Sequence, residues 1–335
     1  MLCLFINNAA LRKDPTIQYL SGYAPEFCIL AHDVKTGKQC MFVAAFECGM
    51  YSGIPHFPFN KETFTSQLKK FFNRKTFKVI GINKEALSMR SFATLKKYFP
   101  VRYEDVSALF SRKRMIKQLY ERRRIAQACL ITDQLFTEVI KKTFATERDI
   151  ANYLLKRMID IGVEPSFHPV VATARNARKP HHIPGNTLLS KFTVLDFGVK
   201  YKGYCSDMTR MLYYGTPSQD EISAYNKLRD SFTTAVSALS VGKKFAEVDA
   251  LVRKALGKAF THALGHGVGV EVHEQPSIAP ASKHSLKDGM VFTIEPGVYS
   301  KYGMRLEDTF ICSNEKVQAL TKSSHDLVVH KKRRN

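Results

Sequence analysis

The chain has 335 residues, of which 44% are hydrophobic and 24% are charged, and its formal net charge is +21. This length is typical of two domains of about 150 residues each, and the hydrophobic content suffices for both to bury a core. No run approaches the ~20 apolar residues of a membrane span, which excludes a transmembrane protein. The charge admits an anionic partner, but Lys and Arg are spread along the whole sequence, which favours a solvated basic surface.

The seven cysteines are scattered and form no CxxC pair. An odd, unpatterned set in a chain of this length favours free thiols in a reducing compartment. The first apolar run ends at Ile6 and is followed by two asparagines, which is too short for a secretory signal. We therefore expect a cytoplasmic protein.

Residues 1–108 are predicted to form an α/β domain. Three early runs, MLCLFI, EFCILAHD and QCMFVAA, have the β-branched and aromatic content of strands. Two segments with helical spacing of apolar residues follow, KETFTSQLKKFF and EALSMRSFATLKKYF, with the buried strand FKVIGIN between them. This alternation predicts a mixed sheet. Because no phosphate-binding glycine motif follows these strands, we expect the domain to shape a pocket or an oligomer contact.

Residues 109–328 are predicted to form a second domain, followed by a basic tail at residues 329–335. A long helical pattern, MIKQLYERRRIAQACLITDQLFTEVIKK, opens this domain. The next helix is expected to begin at Thr146, which forms an approximate capping box with Asp149, and to end at Gly162. A β-rich region, two further helices and a second β-rich region complete the chain.

Two aspartates, Asp196 and Asp207, lie on strand-like runs in the segment VLDFGVKYKGYCSDMTR. A turn near Tyr201 and Lys202 would place them directly opposite each other, with Cβ atoms roughly 4.5–5.5 Å apart. Like charges at this separation destabilise a sheet. The pair is therefore expected to bind a cation or to share a proton.

Three histidines, His262, His266 and His273, lie in the segment THALGHGVGVEVHEQP. In an extended run His262 and His266 share one face, and the flanking Gly265 and Gly267 let the backbone approach a ligand closely. A single histidine is more often a surface or core residue than a ligand. Three of them within one short apolar pattern indicate a functional site.

Two glutamates form a second expected pair. Glu295 ends the apolar strand VFTIE, and a turn centred near Lys301 would place Glu307 opposite it, with Arg305 on the same face as Glu307. A carboxylate after an apolar strand is costly to bury unless it is paired. Each of two hairpins is thus predicted to present two facing carboxylates.

Four carboxylates and one imidazole form a donor set that suits Mn²⁺, Co²⁺, Zn²⁺ or Fe²⁺. A structural zinc site, by contrast, typically has thiolate ligands. Because carboxylates can bridge, they fit two metal ions about 3.5 Å apart, the geometry of metal-activated hydrolysis. The remaining histidines could polarise a carbonyl oxygen or protonate a leaving nitrogen.

The segments DFGVKYKGYCSDMTR, HALGHGVGVEVHEQP, VFTIEPGVY and RLEDT together resemble the pita-bread metallopeptidases of the aminopeptidase P and prolidase family. The resemblance covers roughly residues 109–327, and PTIQYLSGY at residues 15–23 is a weaker match to the first domain of that family. It implies the creatinase-like two-domain layout, with an α/β N-terminal domain and an α+β C-terminal catalytic domain of pita-bread type.

The resemblance also implies a set of site residues. The expected ligands of two divalent metal ions (Mn, Co or Zn) are Asp196, Asp207, His266, Glu295 and Glu307, of which Asp207 and Glu307 would bridge. The expected catalytic or pocket residues are His181, His262, His273 and Arg305, with Tyr299 beside them. His168 and His182 are interpreted as structural or rim residues.

The activity that this resemblance implies is hydrolysis of the bond between an N-terminal residue and proline by a metal-activated hydroxide. The substrate would be a dipeptide or a longer peptide, and the enzyme a homodimer. The sequence departs from the family in three places that bear on the pocket rim. The segments before His262 and between Glu295 and Glu307 are short, and ATAR replaces a glycine before NARKPHH.

Two alternatives remain at this point. A methionine aminopeptidase shares the five-ligand plan, but IEPGVY and MRLED, with Arg305 beside Glu307, favour the proline-directed branch. A non-catalytic pita-bread protein that binds RNA or a protein partner would fit the charge of +21. Such proteins tend to lose ligands, however, and creatinase-type relatives lack them, so the intact set favours a metallopeptidase.

Overall fold

The structure is a computed structural model that describes residues 1–8 and 13–330. Its internal contacts divide the chain into two compact units, Met1–Lys113 and Arg114–Asn335. The domain boundary expected from the sequence, between residues 108 and 109, falls inside a helix, Ser107–Met115, and it stays a prediction. Residues 331–335 of the predicted basic tail lie outside the described residues. No helix in the described ranges is long and apolar enough to cross a membrane.

In its described residues, the first unit contains one mixed six-stranded sheet. Its strands are β1 (Leu2–Asn7), β2 (Cys28–Asp33), β3 (Gln39–Val43), β4 (His56–Pro58), β5 (Val79–Ile82) and β6 (Arg102–Asp105), in the spatial order β4-β3-β2-β1-β5-β6. Its helices are α1 (Pro15–Ser21), α2 (Phe64–Phe71), α3 (Met89–Tyr98) and α4 (Ser107–Met115). The predicted mixed sheet is confirmed, because β1 pairs antiparallel with β2 and parallel with β5. The sequence patterns missed β4, β6 and α1, which are short.

The second unit contains four long helices and fourteen strands among its described residues. The helices are α5 (Leu119–Ile140), α6 (Glu147–Asp160), α7 (Gln219–Ser237) and α8 (Phe245–Leu256). The strands are β7 (Glu164–Pro165), β8 (Val170–Thr173), β9 (Lys191–Phe197), β10 (Val199–Tyr201), β11 (Tyr204–Cys205), β12 (Met208–Tyr214), β13 (Gly265–Gly267), β14 (Glu274–Ile278), β15 (Val291–Ile294), β16 (Gly297–Tyr299), β17 (Gly303–Arg305), β18 (Asp308–Ser313), β19 (Lys316–Ala319) and β20 (Val328–His330).

Two sheets of this unit carry the residues of interest. One has the order β20-β12-β9-β8, and the other has the order β14-β13-β15-β18-β19. Strand β9 is buried on both faces: Val194 packs in a core with α7 and α8, whereas Leu195 packs in a core with α5 and α6. Because side chains alternate along a strand, Asp196 lies on the same face as Val194.

Helix α6 begins as the sequence predicts. The Thr146 hydroxyl accepts a hydrogen bond from the Asp149 amide over 3.2 Å, and the Asp149 carboxylate accepts one from the Thr146 amide over 2.8 Å. Gly162 follows the helix with a φ of 71°, which is the left-handed conformation that glycine adopts readily at helix ends. The predicted capping box is therefore confirmed.

Candidate metal centre

The hairpin that carries the two aspartates is offset from the predicted register. Asp196 lies opposite Thr209, and the turn falls at Lys202 and Gly203. Both turn residues have positive φ values, 47° and 83°, as in the two-residue turns that join right-twisted strands. The predicted direct pairing of Asp196 with Asp207 is therefore wrong. Since Asp207 lies two residues before Thr209, the two aspartates are diagonal neighbours instead.

The chain between the two aspartates is unusually close to its partner strand. A Cβ atom at Gly198 would lie 1.8 Å from the Ser206 carbonyl oxygen, so no other residue fits there without a shift of the backbone. The Ser206 hydroxyl accepts a hydrogen bond from the Val199 amide over 2.9 Å. These contacts fix the backbone immediately before Asp207.

The second hairpin has the register that the sequence predicts. Ile294 pairs with Asp308, and Gly297 pairs with Arg305, so that Glu295 and Glu307 lie opposite each other. The Glu307 amide also donates a hydrogen bond to the Thr209 carbonyl oxygen over 3.2 Å. This backbone contact joins the two hairpins and brings their carboxylates together.

His266 lies on β13, which is much shorter than the extended run predicted from the sequence. Its Nε2 atom is 3.3 Å from Glu295 Oε1 and 3.6 Å from Asp207 Oδ2. A Cβ atom at Gly265 would lie 2.1 Å from the Thr293 carbonyl oxygen. The glycine before His266 therefore allows β13 to approach β15, the strand that leads to Glu295.

The remaining two histidines of this segment have different surroundings. The His273 ring packs edge-on against His266, with the ring centroids 4.3 Å apart. Burial and the charge of His266 lower the pKa of His273 to about 4, so the imidazole is neutral at pH 7. The Nε2 atom of His262 is 2.9 Å from the Tyr299 hydroxyl, and its Nδ1 atom is 3.9 Å from Glu295 Oε2.

All five predicted ligand residues converge. Among the described residues, three groups offer ligand atoms that lie within 4.8 Å of one another: Asp196, Asp207 and Glu307; His266, Glu295 and Glu307; and Asp207, His266 and His273. Asp207, His266 and Glu307 each belong to two of these groups. In the described part of the chain, Asp196 Oδ1, Asp207 Oδ1 and Glu307 Oε1 are buried without a hydrogen-bond partner. Since an unpaired buried carboxylate oxygen is costly, this donor set fits a divalent cation.

The pKa values of these carboxyl groups also show that burying several negative charges together is unfavourable. Burial raises the pKa of Asp207 well above its ordinary range, and the negative charges of Glu307 and Asp196 raise it further. The pKa of Glu307 is raised by burial and by the charges of Glu295 and Asp196. Burial alone would raise the pKa of Glu295, but the hydrogen bond and the charge of His266 lower it.

Arg305 organises one side of this cluster with three different nitrogen atoms. Nη2 donates to Asp196 Oδ2, Nη1 donates to the Tyr299 hydroxyl over 2.8 Å, and Nε donates to Thr209 Oγ1 over 3.1 Å. Thr209 Oγ1 in turn donates to Glu307 Oε2 over 2.7 Å. Thr209 was not predicted as a site residue, although its position two residues after Asp207, on the same face of the chain, was an available signal.

A buried ion pair that was also not predicted from the sequence contacts the backbone of Glu307. Arg210 Nη2 donates to Asp308 Oδ1 over 2.6 Å, and Arg210 Nη1 donates to the Glu307 carbonyl oxygen over 2.6 Å. Both side chains are about 1–2% exposed. The backbone that follows the Glu307 side chain is therefore held by a buried ion pair.

A cavity of about 430 Å³ opens onto the cluster. Its charged and imidazole lining includes His181, His273 and Arg305 beside the five predicted ligands, but not His262. An apolar part of the lining is formed by Phe167, Val170, Pro180 and Ile183. The structure thus brings His181 and His273 to the cavity, whereas His262 contacts Tyr299 and lies near Glu295.

Residues 123–314, more than half of the chain, match the model of metallopeptidase family M24. The chain belongs to this family, as the resemblance predicted, and it is a peptidase of the pita-bread type.

The chain is also similar to individual proteins over almost its whole length. An uncharacterised peptidase of Staphylococcus aureus (strain MRSA252) is 30% identical over 331 residues, which cover 91% of this chain and 92% of the relative. The X-Pro aminopeptidase from Thermotoga maritima MSB8 superimposes with a TM-score of 0.89 at 26% identity, over 98% of this chain and 97% of that one. The prolidase from Pyrococcus horikoshii OT3 gives 0.87 at 28% identity, over 98% and 95%. These likenesses confirm the predicted fold class, an α/β domain followed by an α+β domain of pita-bread type.

Proposed function

We propose that this chain is a metal-dependent peptidase that hydrolyses the bond between an N-terminal residue and proline. The observation that carries the proposal is the convergence of four carboxylates and His266, with three buried carboxylate oxygens that have no hydrogen-bond partner in the described chain. Membership of family M24 supports peptidase chemistry. Likeness to an X-Pro aminopeptidase and a prolidase supports the proline-directed specificity.

The residues that would hold two divalent metal ions (Mn, Co or Zn) are Asp196, Asp207, His266, Glu295 and Glu307. Asp207 and Glu307 are the proposed bridging ligands, because they are the two carboxylates that belong to two groups, and a carboxylate has two oxygens with which it could bind both ions. When bound, such ions polarise the scissile carbonyl and supply an activated water molecule near neutral pH.

The chain's own side chains account for substrate binding. His181 and His273 line the cavity beside the ligand set. The neutral His273 can donate a hydrogen bond to the peptide carbonyl oxygen, and His181 can deliver a proton to the leaving nitrogen. Proline nitrogen in a peptide bond has no N–H, so this part of the substrate needs a shaped apolar wall and no hydrogen-bond acceptor. Phe167, Val170 and Pro180 supply such a wall. His262 is assigned a positioning role through Tyr299.

The proposal is tested with metal-stripped protein to which Mn²⁺, Co²⁺ or Zn²⁺ is returned. Three substrates are compared: an Xaa-Pro dipeptide, an Xaa-Pro-Yaa tripeptide and a Met-Ala-type peptide. Cleavage of the dipeptide alone identifies an Xaa-Pro dipeptidase, and cleavage only of the longer Xaa-Pro peptide identifies an Xaa-Pro aminopeptidase. Asp207→Asn is the inactive control.

Two results would replace the proposal. Cleavage of the Met-Ala-type peptide alone would identify a methionine aminopeptidase-like activity. Failure to cleave any peptide with metal bound would favour a binding protein, whose RNA or protein partner would use the basic surface. The homodimer stays a prediction, which sedimentation of the metal-loaded protein tests directly.

A further inference from the structure

One short segment of the cavity lining is held by a residue that is not among the five proposed metal ligands. Residues 180–183, here called the wall segment, all line the cavity, and His181 is among them. The next side chain, His182, turns its Nε2 atom to Glu147 Oε2 over 2.8 Å. The wall segment lies on a loop between β8 and β9, so its position depends on contacts of this kind.

Glu147 is the first residue of α6, and its side chain is fully buried. Oε1 accepts hydrogen bonds from the Thr173 amide over 2.8 Å and from Asn176 Nδ2 over 2.9 Å. Oε2 accepts hydrogen bonds from His182 Nε2 over 2.8 Å and from the Gly185 amide over 3.1 Å. One carboxylate therefore holds the chain before, within and after the wall segment.

The charge of Glu147 makes these contacts strong. Burial alone would raise the pKa of Glu147, but the hydrogen bonds from Thr173, Asn176, His182 and Gly185 lower it below its ordinary value, so the group is ionised at neutral pH. Hydrogen bonds to an ionised acceptor are roughly twice as strong as neutral ones. The backbone adds to the attachment, because the Arg148 amide donates to the Gly185 carbonyl oxygen over 3.0 Å.

We propose that Glu147 is a positioning residue of the peptidase site, which holds the wall segment through His182 and thereby sets where His181 meets the substrate. This inference rests on the proposed function. None of the four donors to Glu147 is a predicted metal ligand. Loss of the carboxylate is therefore expected to impair substrate turnover and to leave metal binding intact.

The test is Glu147→Gln in the full, metal-loaded chain. A glutamine side chain has a single acceptor oxygen for four donors, so the wall segment loses part of its attachment. Since a displacement of about 1 Å can reduce a rate by two orders of magnitude, we expect kcat/KM for an Xaa-Pro peptide to fall by roughly 10- to 100-fold. Metal stoichiometry and affinity, measured by calorimetric titration with Mn²⁺, are expected to stay at the wild-type values.

Glu221→Gln is the matched control. Glu221 is also a buried carboxylate in the first turn of a helix, α7, where it accepts hydrogen bonds from the Ser218 amide and the Tyr213 hydroxyl. Glu221 does not line the cavity that contains the proposed metal ligands. Glu221→Gln is expected to lower stability without changing kcat/KM.

Two substitutions of His182 separate its hydrogen bond from its bulk. His182→Gln keeps an N–H donor for Glu147 and is expected to retain most of the activity, whereas His182→Ala is expected to lose as much activity as Glu147→Gln. This pair also tests the inference if Glu147→Gln fails to fold. Equal activity of the two His182 variants would overturn the proposed role of the contact.

Amide hydrogen exchange gives a readout that needs no activity. We expect exchange in residues 174–190 to be faster in Glu147→Gln than in the wild type, and unchanged there in Glu221→Gln. If the wild type cleaves no Xaa-Pro peptide, the proposed function fails while this measurement still tests the anchor. Wild-type exchange with wild-type kcat/KM in Glu147→Gln would overturn the inference, and so would an activity loss that merely follows loss of metal.

Discussion

Thr209 connects the two carboxylate hairpins through its side chain as well as its backbone. Its hydroxyl donates to Glu307 Oε2 over 2.7 Å and accepts from Arg305 Nε over 3.1 Å. The hydroxyl thus fixes one oxygen of Glu307, while the other oxygen, Oε1, has no hydrogen-bond partner in the described residues. A small neutral side chain therefore sets the orientation of a proposed bridging ligand.

Thr209→Val should separate this orienting role from side-chain volume. Because Glu307 loses its donor, we expect the affinity for Mn²⁺ to fall by roughly 10- to 100-fold, as for other partners of metal ligands. Because Arg305 Nε is left unpaired, the free energy of unfolding should fall by about 1–3 kcal/mol. Calorimetric titration and urea denaturation measure the two effects. Thr209→Ser, which keeps the hydroxyl, should bind metal like the wild type; equal affinity in the valine variant would refute the orienting role.

Arg305→Lys should be more damaging than its preserved charge suggests. The three donor nitrogens of Arg305 reach three different acceptors, on Asp196, Thr209 and Tyr299, and a single ammonium group cannot reproduce this fork. Breaking a buried charged network of this kind costs about 3–5 kcal/mol. We expect a loss of this size in the free energy of urea unfolding of the metal-free protein.

The control for this substitution is Arg157→Lys. Arg157 pairs with Glu138 where both side chains are about one-third exposed, so the change should cost less than about 1 kcal/mol. Similar losses in the Arg305 and Arg157 variants would show that the Arg305 contacts are not formed as described.

Asp207→Asn should have opposite effects with and without metal. In the metal-free protein, burial and the neighbouring charges of Glu307 and Asp196 make the Asp207 carboxylate unfavourable, as its raised pKa shows. A neutral amide removes this repulsion, so the metal-free variant should melt at a higher temperature than the metal-free wild type. Calorimetric scans with a chelator and with Mn²⁺ measure both states.

With Mn²⁺ present, the order of stabilities should reverse. The wild type gains stability in proportion to the logarithm of metal concentration over its dissociation constant, whereas Asp207→Asn should gain little. A variant that keeps the wild-type metal stoichiometry would rule out Asp207 as a bridging ligand.

The contribution of Glu147 to stability should depend on pH. Its pKa in the folded protein is lowered from the ordinary value of 4.5, so its stabilising effect is fully present above about pH 5 and is lost as the pH falls through the folded value. The difference in unfolding free energy between the wild type and Glu147→Gln should therefore be constant from pH 7 to about 5 and shrink at lower pH. Urea denaturation at several pH values measures it.

The titratable neighbour that hydrogen-bonds to Glu147 is His182. Repeating the comparison in a His182→Gln background removes the ionisable partner, so the remaining pH dependence belongs to Glu147. A difference that grows on acidification would contradict the lowered pKa.

Strand alternation predicted that each hairpin presents two carboxylates, and the family resemblance implied that these four residues and His266 form one site. The sequence predicted the pairing of Glu295 with Glu307 correctly, since the short turn there is symmetric about Lys301. It misplaced Asp207, because the left-handed turn at Lys202 and Gly203 shifts the register. That conformation depends on the twist of the paired strands, which a single segment of sequence does not specify.

The contacts that the sequence analysis missed are those between segments distant in the chain. Glu147 is a residue type that is common in the first turn of a helix, and nothing next to it in sequence indicates that His182 and Gly185 donate hydrogen bonds to it. Thr209 is a residue type that is common in strands, and its role depends on its contact with Glu307 in the fold. Such roles follow from tertiary approach, so they become visible only in the folded structure.

The hydrogen bond from the Glu307 amide to the Thr209 carbonyl oxygen marks a seam between two sheets that are formed by distant parts of the chain. Four carboxylates of like charge meet at this seam. A cation held by Asp196 and Asp207 on one side and by Glu295 and Glu307 on the other would therefore act as a removable cross-link, and it would stabilise the folded chain because these ligands come together only there. Chelation should then open the protein along this seam first, so that metal content would control how firmly the two sheets are held together.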